Sequence, residues 1–255
     1  MTSIPEVRVI GVRGIPLVKS DDDLGQLICA AAEKQGTPII DRDIIVVTQK
    51  IVSKAEGRLV RLKDVTPSPF SRQAAQNLHK SPQLVEVILG EAKSIVRMVG
   101  GHLITETRDG WICANSGVDQ SNVSGGDMVT LLPVDSDRSA RRIRERILTL
   151  TGRQVAVIIT DTFGRPFRVG HVDVCLGVSG ISPLLDLRGQ QDLFGYVLRV
   201  KRAAIGDELA SAAELVMGNS REQIPVAIIR GYSYAIDEAA KATDVIMPME
   251  RNLFL

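Results

Sequence analysis

The apolar run Val155-Ala-Val-Ile-Ile-Thr160 passes directly into an acid and a hydroxyl, Asp161 and Thr162, followed by Phe163-Gly-Arg165-Pro-Phe-Arg168. A strand ending in this way puts hard oxygen donors beyond its carboxyl end, where α/β proteins bind ligands, and a carboxylate beside a hydroxyl suits Mg²⁺ or Mn²⁺. Asp161 is equally suited to capping a turn through its own backbone. A second acid lies in Ala114-Asn-Ser-Gly-Val-Asp119-Gln-Ser-Asn122, after a short apolar stretch from Trp111. Asp119 and Asn122 can face a ligand across that loop, although Asn, Asp, Ser and Gly at this density also make ordinary Asx turns. Pairing of Asp119 with Asp161 would decide for chemistry. A third segment, Thr48-Gln49-Lys50-Ile-Val-Ser53-Lys54-Ala-Glu56-Gly57, offers two ammonium groups to phosphate, or simply two exposed charges after a strand. No GxxxxGK[ST] loop occurs, which excludes the usual phosphate cradle. Arg165 and Arg168 suit either a bidentate clamp on a carboxylate or phosphate or a structural ion pair.

The elements that must position these groups read as interleaved helices and strands. Ile44–Val47, Val155–Ile159 and Val226–Ile229 are β-branched runs bounded by polar, Gly or Pro residues, as buried strands are. After Ser20 and three aspartates, Leu24, Leu27, Ile28, Ala31 and Ala32 recur at helical spacing, and Gly36 and Pro38 supply the stop. Further helices are predicted from about Ser139 to Leu150 and from about Asp207 to Met217, the latter ended by Gly218. The arginines between Arg138 and Arg146 then read as a solvated helix face, diluted by Asp135, Asp137 and Glu145. The region 65–82, with Pro67, Pro69 and Pro82, and the polar stretch 116–126 read as connections. The fold class is mixed α/β without the glycine-rich fingerprint of a dinucleotide-binding fold.

Composition removes several function classes. The 31 Lys and Arg against 30 Asp and Glu leave a net charge of +1, so no bulk field favours nucleic acid or an anionic membrane. No apolar stretch reaches the roughly 20 residues of a spanning helix, and Glu6, Arg8 and Arg13 break the N-terminus where a signal peptide would be apolar, so a soluble, unexported protein is expected. Cys29, Cys113 and Cys175 are widely spaced and unpaired in pattern, which fits reduced core thiols, and the three scattered histidines form no zinc motif. Any metal is then expected on oxygen.

Taken in order, six segments resemble the motif series of the F420-0:γ-glutamyl ligase family over nearly the whole chain: Gly14-Ile-Pro-Leu-Val18, Ser53-Lys-Ala-Glu-Gly57, Ala114-Asn-Ser-Gly-Val-Asp119-Gln-Ser-Asn122, Asp161-Thr-Phe-Gly-Arg-Pro-Phe-Arg168, Pro183-Leu-Leu-Asp-Leu-Arg-Gly189 and Ala213-Glu-Leu-Val-Met-Gly218. The resemblance implies one F420 ligase-like module over residues 1–255, in one or two lobes, without the nitroreductase-like domain of some relatives. It implies a GTP-dependent ligase that adds L-glutamate to the deazaflavin coenzyme F420-0, and further γ-linked glutamates, through an acyl phosphate with release of GDP and phosphate. Mg²⁺ or Mn²⁺ is the implied cofactor, with K⁺ as a further candidate, in a cytoplasmic homodimer. A relative acting on a different carboxylic acid, or one that binds nucleotide and metal without turnover, are the competing readings.

Carried over by position, Asp119 and Asp161 would hold one metal and Thr162 a second, with Lys54 stabilising phosphate charge. The GTP site would be lined by Ile15, Pro16, Leu17, Val18, Gln49, Lys50, Lys54 and Asn122, and by the run Met217, Gly218, Asn219, Ser220, Arg221, Glu222, Gln223 and Ile224. Two positions depart from the family pattern. Gln49-Lys50 replaces a smaller hydroxylic pair, and Asn219 stands where some relatives carry a metal-binding glutamine. Asn is shorter by about 1.5 Å, so a weaker second metal is expected there.

Overall fold

A computed structural model of the chain describes residues 4–121 and 126–252. The chain runs through β1 (Arg8–Gly11), α1 (Leu24–Lys34), β2 (Ile44–Thr48), α2 (Gln49–Ala55), β3 (Leu59–Arg61), α3 (Pro69–Leu78), α4 (Pro82–Glu91), β4 (Ala92–Val99), β5 (His102–Thr107) and β6 (Ile112–Ala114). It continues through β7 (Met128–Thr130), α5 (Ser136–Thr151), β8 (Ala156–Arg165), β9 (Arg168–Ser179), β10 (Leu185–Asp186), β11 (Arg202–Ala203), α6 (Ile205–Met217) and β12 (Val226–Arg230). The architecture is mixed α/β. Its principal sheet has the order β1-β12-β2-β8-β9, and the three apolar runs supply its middle.

β2 and β8 are parallel, in register from Ile44 opposite Ala156 to Thr48 opposite Thr160. The other neighbours in this sheet are antiparallel. Two antiparallel steps, β1 to β12 and β12 to β2, make β1 run with β2. The C-terminal ends of β1, β2 and β8 therefore lie along one edge, where β12 also begins.

Alternation along the buried strands splits the core. Ile45, Val47, Val157, Ile159, Val226 and Ile228 face α1 and α5, while Ile44, Val46, Ala156, Ile158, Ala227 and Ile229 face α6. Both sheet faces are covered, which is why these strands read as continuous apolar runs instead of alternating ones. A third apolar cluster, with Leu78, Val85, Ile88, Leu103 and Val129, lies under α3 and α4, and Val118 is buried in it one residue before Asp119. β10 and β11 form a separate two-stranded ladder.

Two expectations are corrected. The segment 65–82 is not a plain connection, because α3 occupies Pro69–Leu78 and Pro82 opens α4. Each proline sits at the start of its helix, after Ser68 and Ser81, whose hydroxyls accept from Ser71 N–H and Leu84 N–H; a proline there costs no hydrogen bond and presets the backbone. The second correction concerns β8, which does not end at Asp161. It runs on to Arg165 and turns back into β9, so that Asp161 lies opposite Val174 and Thr162 opposite Asp173. The Gly164-Arg-Pro-Phe167 turn that looked like the strand's stop is the tip of a hairpin, and exposed Arg165 and Arg168 flank it.

The basic run of α5 is more than a solvated face. Arg144 forms a fork with both oxygens of Glu238 at 2.6 and 2.7 Å, and Arg146 Nε lies 2.6 Å from Asp23, the residue that caps α1. Among the described residues no helix is long and apolar enough to cross a membrane.

Candidate active site

The parallel register brings distant segments to one sheet edge. Thr48 pairs with Thr160, so Gln49 and Lys50 at the start of α2 stand beside Asp161 and Thr162. Thr48 N–H donates to Pro225 O at 3.0 Å, which ties the loop after α6, residues 218–225, to the same edge. Asp21 N–H donates to Ala55 O at 2.8 Å, and Ile15 and Val18 pack on the core beside Val52, so the loop after β1 lies against α2. Four of the segments expected to line one site therefore meet here: Ile15–Val18, Gln49–Lys54, Asp161–Thr162 and Met217–Ile224. Asn122 lies outside the described residues.

Asp119 reaches this edge from the other core. Its N–H and C=O both bond Thr130, an isolated antiparallel bridge on the edge of β7 away from β3. The carboxylate makes the Asx turn expected of its sequence, accepting Ser121 N–H at 2.7 Å and Ser121 Oγ at 2.8 Å. It also takes an ion pair from Lys50 Nζ at 2.7 Å, and Lys50 donates to Ser121 Oγ at 2.6 Å. Burial pushes Asp119 up, but the Lys50 and Ser121 contacts together outweigh it and hold the carboxyl below its ordinary value.

Asp161 is the opposite case. Burial, aided by the charges of Asp119 and Asp173, pushes its carboxyl up to about 7, while the Thr162 N–H and the Lys50 charge act the other way without prevailing. Lys54, one turn beyond Lys50 on α2, is shifted down, first by burial and then by Lys50. Gln49 is fully buried, with its Oε1 accepting from Ser53 Oγ at 2.8 Å and its Nε2 an unmet donor.

Thr162 and Asn219 also meet, with Thr162 Oγ1 3.2 Å from Asn219 Oδ1. Two residues that sequence reasoning passed over join them. Asp173, on β9, accepts from Thr162 Oγ1 at 2.7 Å, and Glu214, on α6, accepts from the Asn219 amide nitrogen. Asp173 sat unnoticed because Val172-Asp-Val174 reads as an outward acid in an alternating strand, yet it is 3% exposed. A register shift between Ile159 and Thr160 re-aims the strand at this point.

The donor set fits a hard divalent cation: carboxylates of Asp119 and Asp161, the hydroxyl of Thr162 and the amide oxygen of Asn219, with the Asp161 carboxyl raised chiefly by burial. Among the described residues no three Asp, Glu, His or Cys side chains form a ready-made cage. Such an open set suits Mg²⁺, which ordinarily takes one or two carboxylates and completes its shell with phosphate and water.

Residues 12–231 match the model of a family described as F420-0:gamma-glutamyl ligase. A protein named coenzyme F420:L-glutamate ligase from Methanothermobacter thermautotrophicus is 45% identical over 249 residues, 97% of this chain and 98% of its own length. One of the same name from Methanopyrus kandleri is 45% identical over 257 residues and the whole of both chains, and one from Archaeoglobus fulgidus is 39% identical over 229 residues, 90% and 89%. End-to-end similarity of this degree, over segments that the fold gathers at one sheet edge, leaves no other assignment: the chain belongs to the F420-0:gamma-glutamyl ligase family.

Proposed function

We propose that this protein is a GTP-dependent ligase that joins L-glutamate to coenzyme F420-0 in amide linkage and extends it with further γ-linked glutamates. The observation that carries the reading is the meeting of Asp119, Asp161 and Thr162 with Lys50 and Lys54 at one sheet edge, in a chain similar throughout to proteins named for that activity. A carboxylate is a poor acylating agent. The γ-phosphoryl group of GTP therefore passes to an oxygen of the acceptor carboxylate, GDP leaves, and the glutamate amine attacks the carbonyl to expel phosphate. When bound, a divalent metal supplies the positive charge that lets phosphate and carboxylate approach. Asp119 and Asp161 hold that charge in place, Thr162 and Asn219 offer oxygens to a second ion, and Lys54 faces the phosphates. The family resemblance supports a homodimer in the cytoplasm, with K⁺ a further candidate ion.

One reaction mixture tests the reading: purified protein, GTP, Mg²⁺ or Mn²⁺, L-glutamate and F420-0, followed by product mass. The expected result is a mass increase of one or more glutamyl units with equimolar phosphate, much faster with GTP than with ATP at matched low concentration. Phosphate release without a glutamyl product would assign a different acceptor acid, and GTP binding without phosphate release would remove the ligase reading.

The raised carboxyl of Asp161 sets a pH dependence. Above about 7 it is ionised and ready for a cation; below, a proton must leave before the metal binds. Asp119 is held below its ordinary value and stays ionised in this range. Mn²⁺ affinity measured by calorimetry is expected to fall about tenfold per unit as pH drops from 7 to 5, and to be flat above 8. An equally flat response below 7 would place Asp161 away from the metal.

A further inference from the structure

Thr162 Oγ1 carries a single proton, and two acceptors surround it: Asp173 Oδ1 at 2.7 Å and Asn219 Oδ1 at 3.2 Å. The shorter contact is to a carboxylate, which makes the stronger bond, so the hydroxyl donates there. Asn219 cannot supply a proton in return. Its Nδ2 donates to Glu214 Oε1, and a carboxylate only accepts, so the amide must present its oxygen to Thr162. Thr162 Oγ1 and Asn219 Oδ1 thus stand 3.2 Å apart with no hydrogen between them. Two bare oxygens at that separation repel each other unless a cation lies beside both. Neighbouring oxygens around octahedral Mg²⁺ are about 3.0 Å apart, given Mg–O distances of about 2.1 Å.

Asp173 is not itself placed to be a ligand. Its second oxygen lies 3.2 Å from Thr160 Oγ1, a hydroxyl shared with Val174 O at 3.0 Å, so both oxygens face hydroxyls, and the side chain is sealed. Its backbone is clamped to α6 from both sides: its N–H donates to Glu214 Oε2 at 3.2 Å, and its C=O accepts from Ser211 Oγ at 2.8 Å. Glu214 therefore spans the arrangement, one oxygen on the Asp173 backbone and the other on Asn219.

We propose that Asp173 and Glu214 are the positioning pair of the second cation site: Asp173 accepts the hydrogen bond of the Thr162 hydroxyl and Glu214 that of the Asn219 amide, so that two oxygens with no hydrogen between them are presented side by side. This rests on the reading that Thr162 and Asn219 hold a second ion, and goes beyond it in assigning what fixes their orientation. It also accounts for how a shorter Asn serves there: the side chain is pulled into place by Glu214.

The test is Mn²⁺ binding to the full chain in the presence of GDP, followed by the electron paramagnetic resonance of free Mn²⁺, with a thermal melt for each variant. Wild type is expected to bind two ions per chain. Asp173→Asn, which keeps the size, and Glu214→Ala are each expected to weaken the second ion at least tenfold and leave the first within twofold. The discriminating variant is Glu214→Ala with Asn219→Asp, because a carboxylate offers an oxygen whichever way it turns; the second ion is expected to return. A merely structural Glu214 would lower the melting temperature in both backgrounds and give no such rescue. Second-ion binding within twofold of wild type in both single variants would overturn the inference and leave the two-metal reading standing. A wild type that binds only one ion would overturn both. Should Glu214→Ala fail to fold, the isosteric Asp173→Asn decides alone.

Discussion

Asp161→Asn is expected to lower turnover at least about 100-fold while leaving the metal-free protein as stable as wild type, or more stable above pH 7. The rate effect follows from removing one formal charge from a cation ligand, where charge stabilisation of several kcal/mol is at stake and about 2.7 kcal/mol already makes a factor of 100. The stability effect follows from the direction of the shift. A carboxyl raised from 3.8 to about 7 in the fold contributes stability that is complete below 3.8 and lost as pH rises through about 7. Asn resembles the protonated acid, so at pH 8 it relieves a cost instead of removing a contact. Asp119→Asn is expected to cost similar activity but to behave oppositely in the melt. Its carboxyl is held low, which stabilises the fold above the ordinary carboxylate range and ceases to as pH falls through the lowered value. Losing it leaves Lys50 its hydrogen bond to Ser121, and because the ion pair is partly exposed the cost is at most about 1 kcal/mol. Product formation within threefold of wild type by either variant at saturating metal would remove that residue from the site. A melt in which Asp161→Asn is clearly destabilised at pH 8 would mean that its carboxylate is satisfied by protein groups.

These two acids were legible because each interrupts a pattern: Asp161 closes a β-branched run, and Asp119 stands among turn formers after a short strand. What brings them together was not. The convergence depends on β2 and β8 being parallel with Thr48 opposite Thr160, and two uniformly apolar strands carry no mark of their register or direction. The same limit hid the hairpin. Gly164 and Pro166 announce a turn, but only pairing shows that β8 has already passed Asp161 and met β9 with Thr162 opposite Asp173. Asp173 and Glu214 stayed out of view for a related reason. A lone acid in an alternating strand and a lone acid in an amphipathic helix are ordinary solvent-facing residues, until the shift at Thr160 turns one inward and α6 lays the other across it. The prolines of α3 and α4 misled differently, since a proline inside a helix and one at its first position have opposite meanings, and only the preceding serine cap tells them apart.

Lys50 and Lys54 lie one turn apart on α2, and replacing each by Met is expected to act on different ligands. Like charges at that spacing disfavour a helix, and Lys54 is already shifted down by burial and by Lys50, so a polyanion at this edge relieves both lysines. Lys50 is paired with Asp119 at 2.7 Å, and Lys54 is the lysine that faces phosphate in the proposed site. Lys54→Met is therefore expected to raise the half-saturating GTP concentration and to lower kcat/KM for GTP by about 100-fold, comparable to the loss of a charge-assisted contact of about 2 to 3 kcal/mol. Lys50→Met is expected to have the reverse effect on metal. With no nucleotide present, the ammonium competes with a cation for Asp119, and an ion pair of this exposure is worth about 1 kcal/mol, so Mn²⁺ should bind about fivefold more tightly to the variant. Calorimetry with Mn²⁺ alone and steady-state rates against GTP separate the two. Unchanged GTP dependence in Lys54→Met would take that lysine off the phosphates, and weaker Mn²⁺ binding in Lys50→Met would mean that Lys50 holds Asp119 in place for the metal instead of standing in for it.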